Sequence, residues 1–189
     1  MQTQTLDGGF ATPPIDAAHA FRRVMEAMAR PGTVHMIAGA APPAPLSPAA
    51  GAVILTLCDA ETPLHLAGAA DCDAVRAWIA FHTGAPLVAA PRCMFAVGSW
   101  PALVPLSAYR PGTPEYPDRS ATLIVEMEAL SAEGALLRGP GIEDSALLSL
   151  PEIAAFRGNA ALFPLGLDFF LTRGARVAAL PRSTQVEDA

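Results

Sequence analysis

Apolar and polar positions recur with two different periods along this 189-residue chain. Between Asp16 and Arg30, Ala17, Ala20, Phe21, Val24, Met25 and Met28 repeat at helical spacing, with His19, Arg22, Arg23, Glu26 and Arg30 opposite them. Asp16, after Pro13-Pro14, is the expected N-cap. Glu26 stands four residues before Arg30, the favourable order for a surface ion pair. Pro31-Gly32 then turns the chain. Thr33 to Ile37 and Thr62 to Ala67 read as short strands, and Ser47-Pro48 opens a helix that is apolar nearly all round to about Cys58. Asp71 is the expected cap of a helix reaching about Thr83, where Gly84 stops it.

Met94 to Val97 and Ala121 to Met127 are β-type runs, and Thr-Leu-Ile-Val in the second is apolar on both faces, as an interior strand should be. Ala135 to Leu137 is expected to pair beside it, Ile142 to Leu150 and Pro151 to Ala161 to form short helices, and Phe169 to Thr172 with Val177 to Leu180 to form a hairpin. Strands alternating with helices argue an α/β layer architecture with a mixed sheet, and the length fits one domain.

Composition narrows the function classes. The 12 basic residues are all arginine, with no lysine, so Schiff-base chemistry and the P-loop motif are both excluded. A net charge of −6 gives no electrostatic footprint for nucleic acid. Met36 to Cys58 is 23 residues without a charge, but Pro42, Pro43, Pro45 and Pro48 interrupt it, so it is not read as a membrane span. The first ten residues show neither a basic nor an apolar segment of a signal peptide. Cys58, Cys72 and Cys93 lack metal-ligand spacing and suit a reducing cytosol; no metal and no cofactor are implied.

A few groups could carry chemistry. His82 completes the stripe Val75, Trp78, Ile79 and reads either as a core histidine bonded to a backbone carbonyl or as a ligand or subunit contact. His35, His65 and His82 could converge only through the fold. The turn Arg138-Gly139-Pro140-Gly141-Ile142 precedes an expected helix and could seat an anion, or be a plain turn. Tyr116-Pro117-Asp118-Arg119-Ser120 precedes the buried strand and could meet a ligand, or close on an internal Asp118–Arg119 pair.

Seven segments in order carry a resemblance to a known family: DAAHAFRRVMEAMARPG from Asp16, LTLCDAETP from Leu55, FHTGAPL from Phe81, YPDRSAT from Tyr116, GPGI from Gly139, FPLGLD from Phe163 and LPRSTQV from Leu180. Together they span almost the whole chain and resemble the H subunit of the bacterial carbon–phosphorus lyase system. The resemblance implies a three-layer α/β/α fold with a mixed sheet, like that of pyridoxal-phosphate-dependent transferases but without the cofactor. It further implies a cytoplasmic homodimer joined to the G, I and J subunits. That assembly makes a ribose 1-alkylphosphonate 5-triphosphate from ATP and an alkylphosphonate, and the resemblance brings no catalytic residue with it. The expected role is therefore an accessory, non-catalytic subunit. The competing expectation is a phosphate or nucleotide site near the dimer interface. Its candidate anion contacts are Arg22, Arg30, Arg119 and Arg182, with Asp118 and His82 as titratable partners.

Overall fold

Strand β4 (Thr122–Glu126) lies inside a mixed six-stranded sheet, where its unbroken apolar run Leu123-Ile124-Val125 is covered on both faces. The computed structural model describes residues 7–189. In it β1 (His35–Met36), β8 (Arg176–Leu180), β7 (Asp168–Arg173), β4, β3 (Phe95–Ser99) and β2 (Leu64–Leu66) follow one another across the sheet. Strands β2, β3, β4 and β7 are mutually parallel, and β8 and β1 complete the sheet through antiparallel pairings. The expected hairpin at the C-terminal end is β7–β8.

Helices lie against both faces. Helix α1 (Pro13–Ala29), α2 (Pro48–Leu57) and α3 (Asp73–His82) pack with Ile124, Phe170, Val177 and Ala179. Short α4 (Trp100–Leu103) and α5 (Ile153–Ala160) pack with Leu123, Val125, Phe169 and Leu171 on the opposite face. Alternate residues of one strand thus feed different cores, the period-two rule of a pleated sheet. A second sheet of three strands, β6 (Ala146–Leu148), β5 (Ala135–Arg138) and β9 (Gln185–Glu187), joins the α5 side.

Several local expectations change. The first helix starts at Pro13 with Thr12 as N-cap, and Asp16 instead accepts a hydrogen bond from the Thr12 N–H at 2.8 Å. Only Ala20, Val24 and Ala27 of that helix are buried. Those residues share one core with α2 and the sheet, and Phe21 and Met25 are left exposed. Glu26 pairs with Arg23 at 2.8 Å rather than with Arg30, because Arg30 leaves helical geometry at the C-cap. Asp71 does not cap α3. Its carboxylate takes Arg76, and the helix begins at Asp73 after Cys72.

The stretch 142–150 is not helical. Residues 146–148 alternate half-buried, exposed and buried, and pair as β6 with β5. Strand β5 cannot lie beside β4, whose two edges are already taken by β3 and β7. The glycine-rich turn before β6 closes with the Ile142 N–H on the Gly139 carbonyl, so no helix N-terminus follows it. Gly141 there has φ +81°, and a Cβ would stand 2.0 Å from the Ala29 carbonyl oxygen, so only glycine fits. By contrast, Ser47 caps α2 through Ala50 as expected, and α2 is buried from Ala49 to Ile54.

Candidate functional site

The carboxyl ends of parallel strands are where ligands meet α/β sheets, and here they carry a polar row. Ser99, Glu126 and Thr172 are register partners across β3, β4 and β7. Glu126 is part-buried, with one oxygen accepting the Ser47 N–H of the α2 cap at 2.6 Å and the other accepting from the Thr172 hydroxyl at 3.1 Å. Ser99 and Glu126 line a 420 Å³ cavity together with Trp100 and Leu150. Burial pushes the Glu126 carboxyl above its ordinary value, partly offset by the Ser47 and Thr172 donors and by Arg173. The folded chain therefore holds this proton at a pH where the unfolded chain has lost it. Stability is lost as pH rises from about 4.5, the ordinary glutamate value, through the raised one. Glu126→Gln should be at least as stable as the parent at pH 7, with the difference vanishing below about pH 4.5; urea unfolding of both proteins between pH 4 and 8 checks it.

The segment Tyr116–Ser120 lies at the opposite, amino-terminal mouth of the same strands. There the structure brings together Asp118, Arg119 and Arg182. Arg119 stacks its guanidinium 4.0 Å over the Tyr116 ring, and no ion pair joins it to Asp118 among the described residues. Arg182 grips Asp168, the first residue of β7, from three nitrogens. A fourth nitrogen donates to the Pro117 carbonyl. Both side chains of the pair are largely buried.

The other candidates lie elsewhere. Arg22 lines a 540 Å³ cavity between α1 and the chain after β1, together with Asp16, His19 and Arg23. Arg30 sits at the end of α1. His82 is half-buried on α3, its ring against Trp78 and Phe81, with Nε2 3.3 Å from the Asp7 carbonyl oxygen. His35 and His65 stand on β1 and β2, the two outer strands of the six-stranded sheet, so the histidines do not converge. Burial raises the Cys58 thiol to about 12 and the Cys93 thiol to about 11, so both stay protonated and unreactive at neutral pH. Among the described residues no cluster of His, Cys, Asp and Glu is placed to hold a metal ion, and no helix is long and apolar enough to cross a membrane.

Two features were not anticipated from the sequence. An apolar groove of 810 Å³ runs between the Val104–Pro111 loop and α5, beside the exposed Leu162 and Phe163. A smaller polar cavity of 320 Å³ opens by edge strand β2 and is lined by His65, Asp71, Arg76 and Arg92. One signal for it was present in Leu64-His65-Leu66, where alternation puts the imidazole on the face opposite both leucines.

The family described as bacterial phosphonate metabolism protein (PhnH) matches residues 8–187, nearly the full chain. The chain belongs to the PhnH family. Among curated relatives, the subunit PhnH of alpha-D-ribose 1-methylphosphonate 5-triphosphate synthase from Rhizobium meliloti (strain 1021) is 44% identical, with 98% of each chain covered. A second relative, HtxG of Stutzerimonas stutzeri, named as a candidate C-P lyase subunit, is 30% identical over 94% of each chain.

Proposed function

We propose that this PhnH-family protein is a non-catalytic subunit of the synthase that builds a ribose 1-alkylphosphonate 5-triphosphate from ATP and an alkylphosphonate, in phosphonate catabolism. The end-to-end match at 44% identity to a synthase subunit carries the reading. The chemistry of the side chains agrees with it. Cys58 and Cys93 are held protonated. The arginine with the most polar contacts, Arg182, has them with Asp168 and the Pro117 carbonyl. Exposed Phe21, Met25, Phe81, Leu162 and Phe163 supply apolar surface of the kind that contacts between subunits cover. In this reading the chain is one domain, works as a cytoplasmic homodimer, and joins the G, I and J subunits. Its sheet with helices on both faces is a cofactor-free relative of the pyridoxal-phosphate-dependent transferase fold.

Co-expression of tagged G, I and J subunits with and without this chain tests the proposal. The chain should co-elute with the others at fixed stoichiometry, and synthase turnover should fall at least tenfold when it is omitted, a loss of about 1.4 kcal/mol or more in transition-state stabilisation. Unchanged turnover without it, or turnover by the isolated chain, would overturn the reading.

A further inference from the structure

The cavity beside β2 collects polar side chains from three separate elements. His65 lies on β2, Arg76 on α3 and Arg92 in the turn before β3. His65 shares its register row with Ala96, Leu123 and Phe169, so it is the polar end of an otherwise apolar row, beside the 86–88 segment that bonds to the outer side of β2. Its Nδ1 stands 3.0 Å from the Val88 carbonyl oxygen, which fixes the proton on Nδ1 in the neutral ring and leaves Nε2 as an acceptor. The one acid in the lining is Asp71, and it is committed. One of its oxygens takes the Arg76 Nε, which holds that guanidinium side-on. The terminal nitrogens of Arg76, and the guanidinium of Arg92, have no hydrogen-bond or ion-pair partner among the described residues. The lining is thus two guanidinium forks with free donors, one imidazole acceptor, the Asp71 carboxylate held by Arg76, and apolar walls from Leu87 and Val88.

From this geometry we infer that the β2 cavity is a binding site for a small tetrahedral phosphorus oxyanion, a phosphate or a phosphonate. Guanidinium forks match such oxygens bidentately. The Nε2 acceptor adds selectivity, because a phosphorus oxyanion that retains a P–OH can donate to it, and sulfate at the same pH cannot. The leucine and valine walls tolerate a short alkyl substituent, so the site accepts a phosphonate as well as free phosphate. Arg76 is half-exposed and Arg92 exposed, so binding is weak, in the millimolar range. The inference rests on the lining alone and not on membership of a complex.

Calorimetric titration of the full chain at low ionic strength and about pH 7.5, where an ordinary imidazole is mostly neutral, tests it, with inorganic phosphate, methylphosphonate and sulfate as separate arms. Phosphate, methylphosphonate or both should saturate within about 20 mM, and the comparison of those two arms says whether the alkyl wall is used. Arg92→Gln should weaken binding about tenfold, the loss of one charge-assisted contact, while Arg119→Gln leaves it unchanged. His65→Leu, which removes the acceptor, should abolish the preference over sulfate. The proposal fails if no phosphorus oxyanion binds, if sulfate binds equally well, or if Arg92→Gln and Arg76→Gln, both with unaltered thermal midpoints, bind like the parent. Co-elution with the other subunits is a separate measurement, so failure here leaves the subunit assignment standing.

Discussion

Replacing Arg182 by methionine should cost about 3 kcal/mol of unfolding free energy, the low end for removing one partner of a buried ion pair. Arg182 is the pin of the amino-terminal mouth of the sheet. It binds both oxygens of Asp168 and the Pro117 carbonyl, so it joins the start of β7, the end of β8 and the turn before β4. The substitution leaves Asp168 as a desolvated carboxylate with only the Arg182 backbone N–H, and leaves the Pro117 carbonyl unpaired. Arg182→Met combined with Asp168→Leu should recover much of the loss, because an apolar pair in such a place competes well with an ionic one. Guanidinium unfolding of the three proteins measures it. If the single variant loses less than about 1 kcal/mol, the clamp is only a surface ion pair, and Arg182 becomes available as a ligand contact.

Phe156→Ala should be the larger loss, about 3–5 kcal/mol. Phe156 is 1% exposed and joins two aromatic partners. Trp100 stacks on it at 4.9 Å, and Phe169 meets it edge-on at 4.8 Å. Phe169 belongs to β7, Trp100 opens α4, and Trp100 also donates its indole N–H to Glu152 at the N-cap of α5. Truncation therefore opens a cavity at the point where α4, α5 and the large sheet meet. Phe156→Leu keeps most of the volume and should lose under about 1.5 kcal/mol. A loss from Phe156→Ala no greater than that from Phe156→Leu would show that the core closes around the smaller side chain and that no lasting cavity forms.

The elements legible in the sequence were those whose signal is local. The Ser47-Pro48 start of α2 was one, since a cap hydroxyl and a proline at the first helical position act within one turn. The interior character of β4 was another, because a run apolar on both faces leaves no solvent side. The β7–β8 hairpin and the Gly84 stop of α3 belong to the same class. Errors fell where a partner from elsewhere in the chain decided the outcome. Residues 146–148 have nothing against helix in themselves; the free edge of β5 made them a strand. Phe21 and Met25 fit the stripe of α1, but the side buried against the core shared with α2 and the sheet is that of Ala20, Val24 and Ala27.

The candidate site followed the same division. Arginine as the sole basic residue type, the missing lysine and the family resemblance were properties of the chain alone. They settled which chemistries are absent and which family the chain belongs to, because covalent chemistry depends on residue type and kinship on residue order. Which charges meet was settled only by the fold. Arg182 lies 14 residues after Asp168, and the hairpin between them closes the clamp. His65, Arg76 and Arg92 look unrelated along the chain, and strand β2, helix α3 and the turn before β3 bring them to one cavity. Ion pairs and cavities act over a few ångströms of space, and sequence separation carries no information about that distance once a sheet has ordered its strands out of chain order.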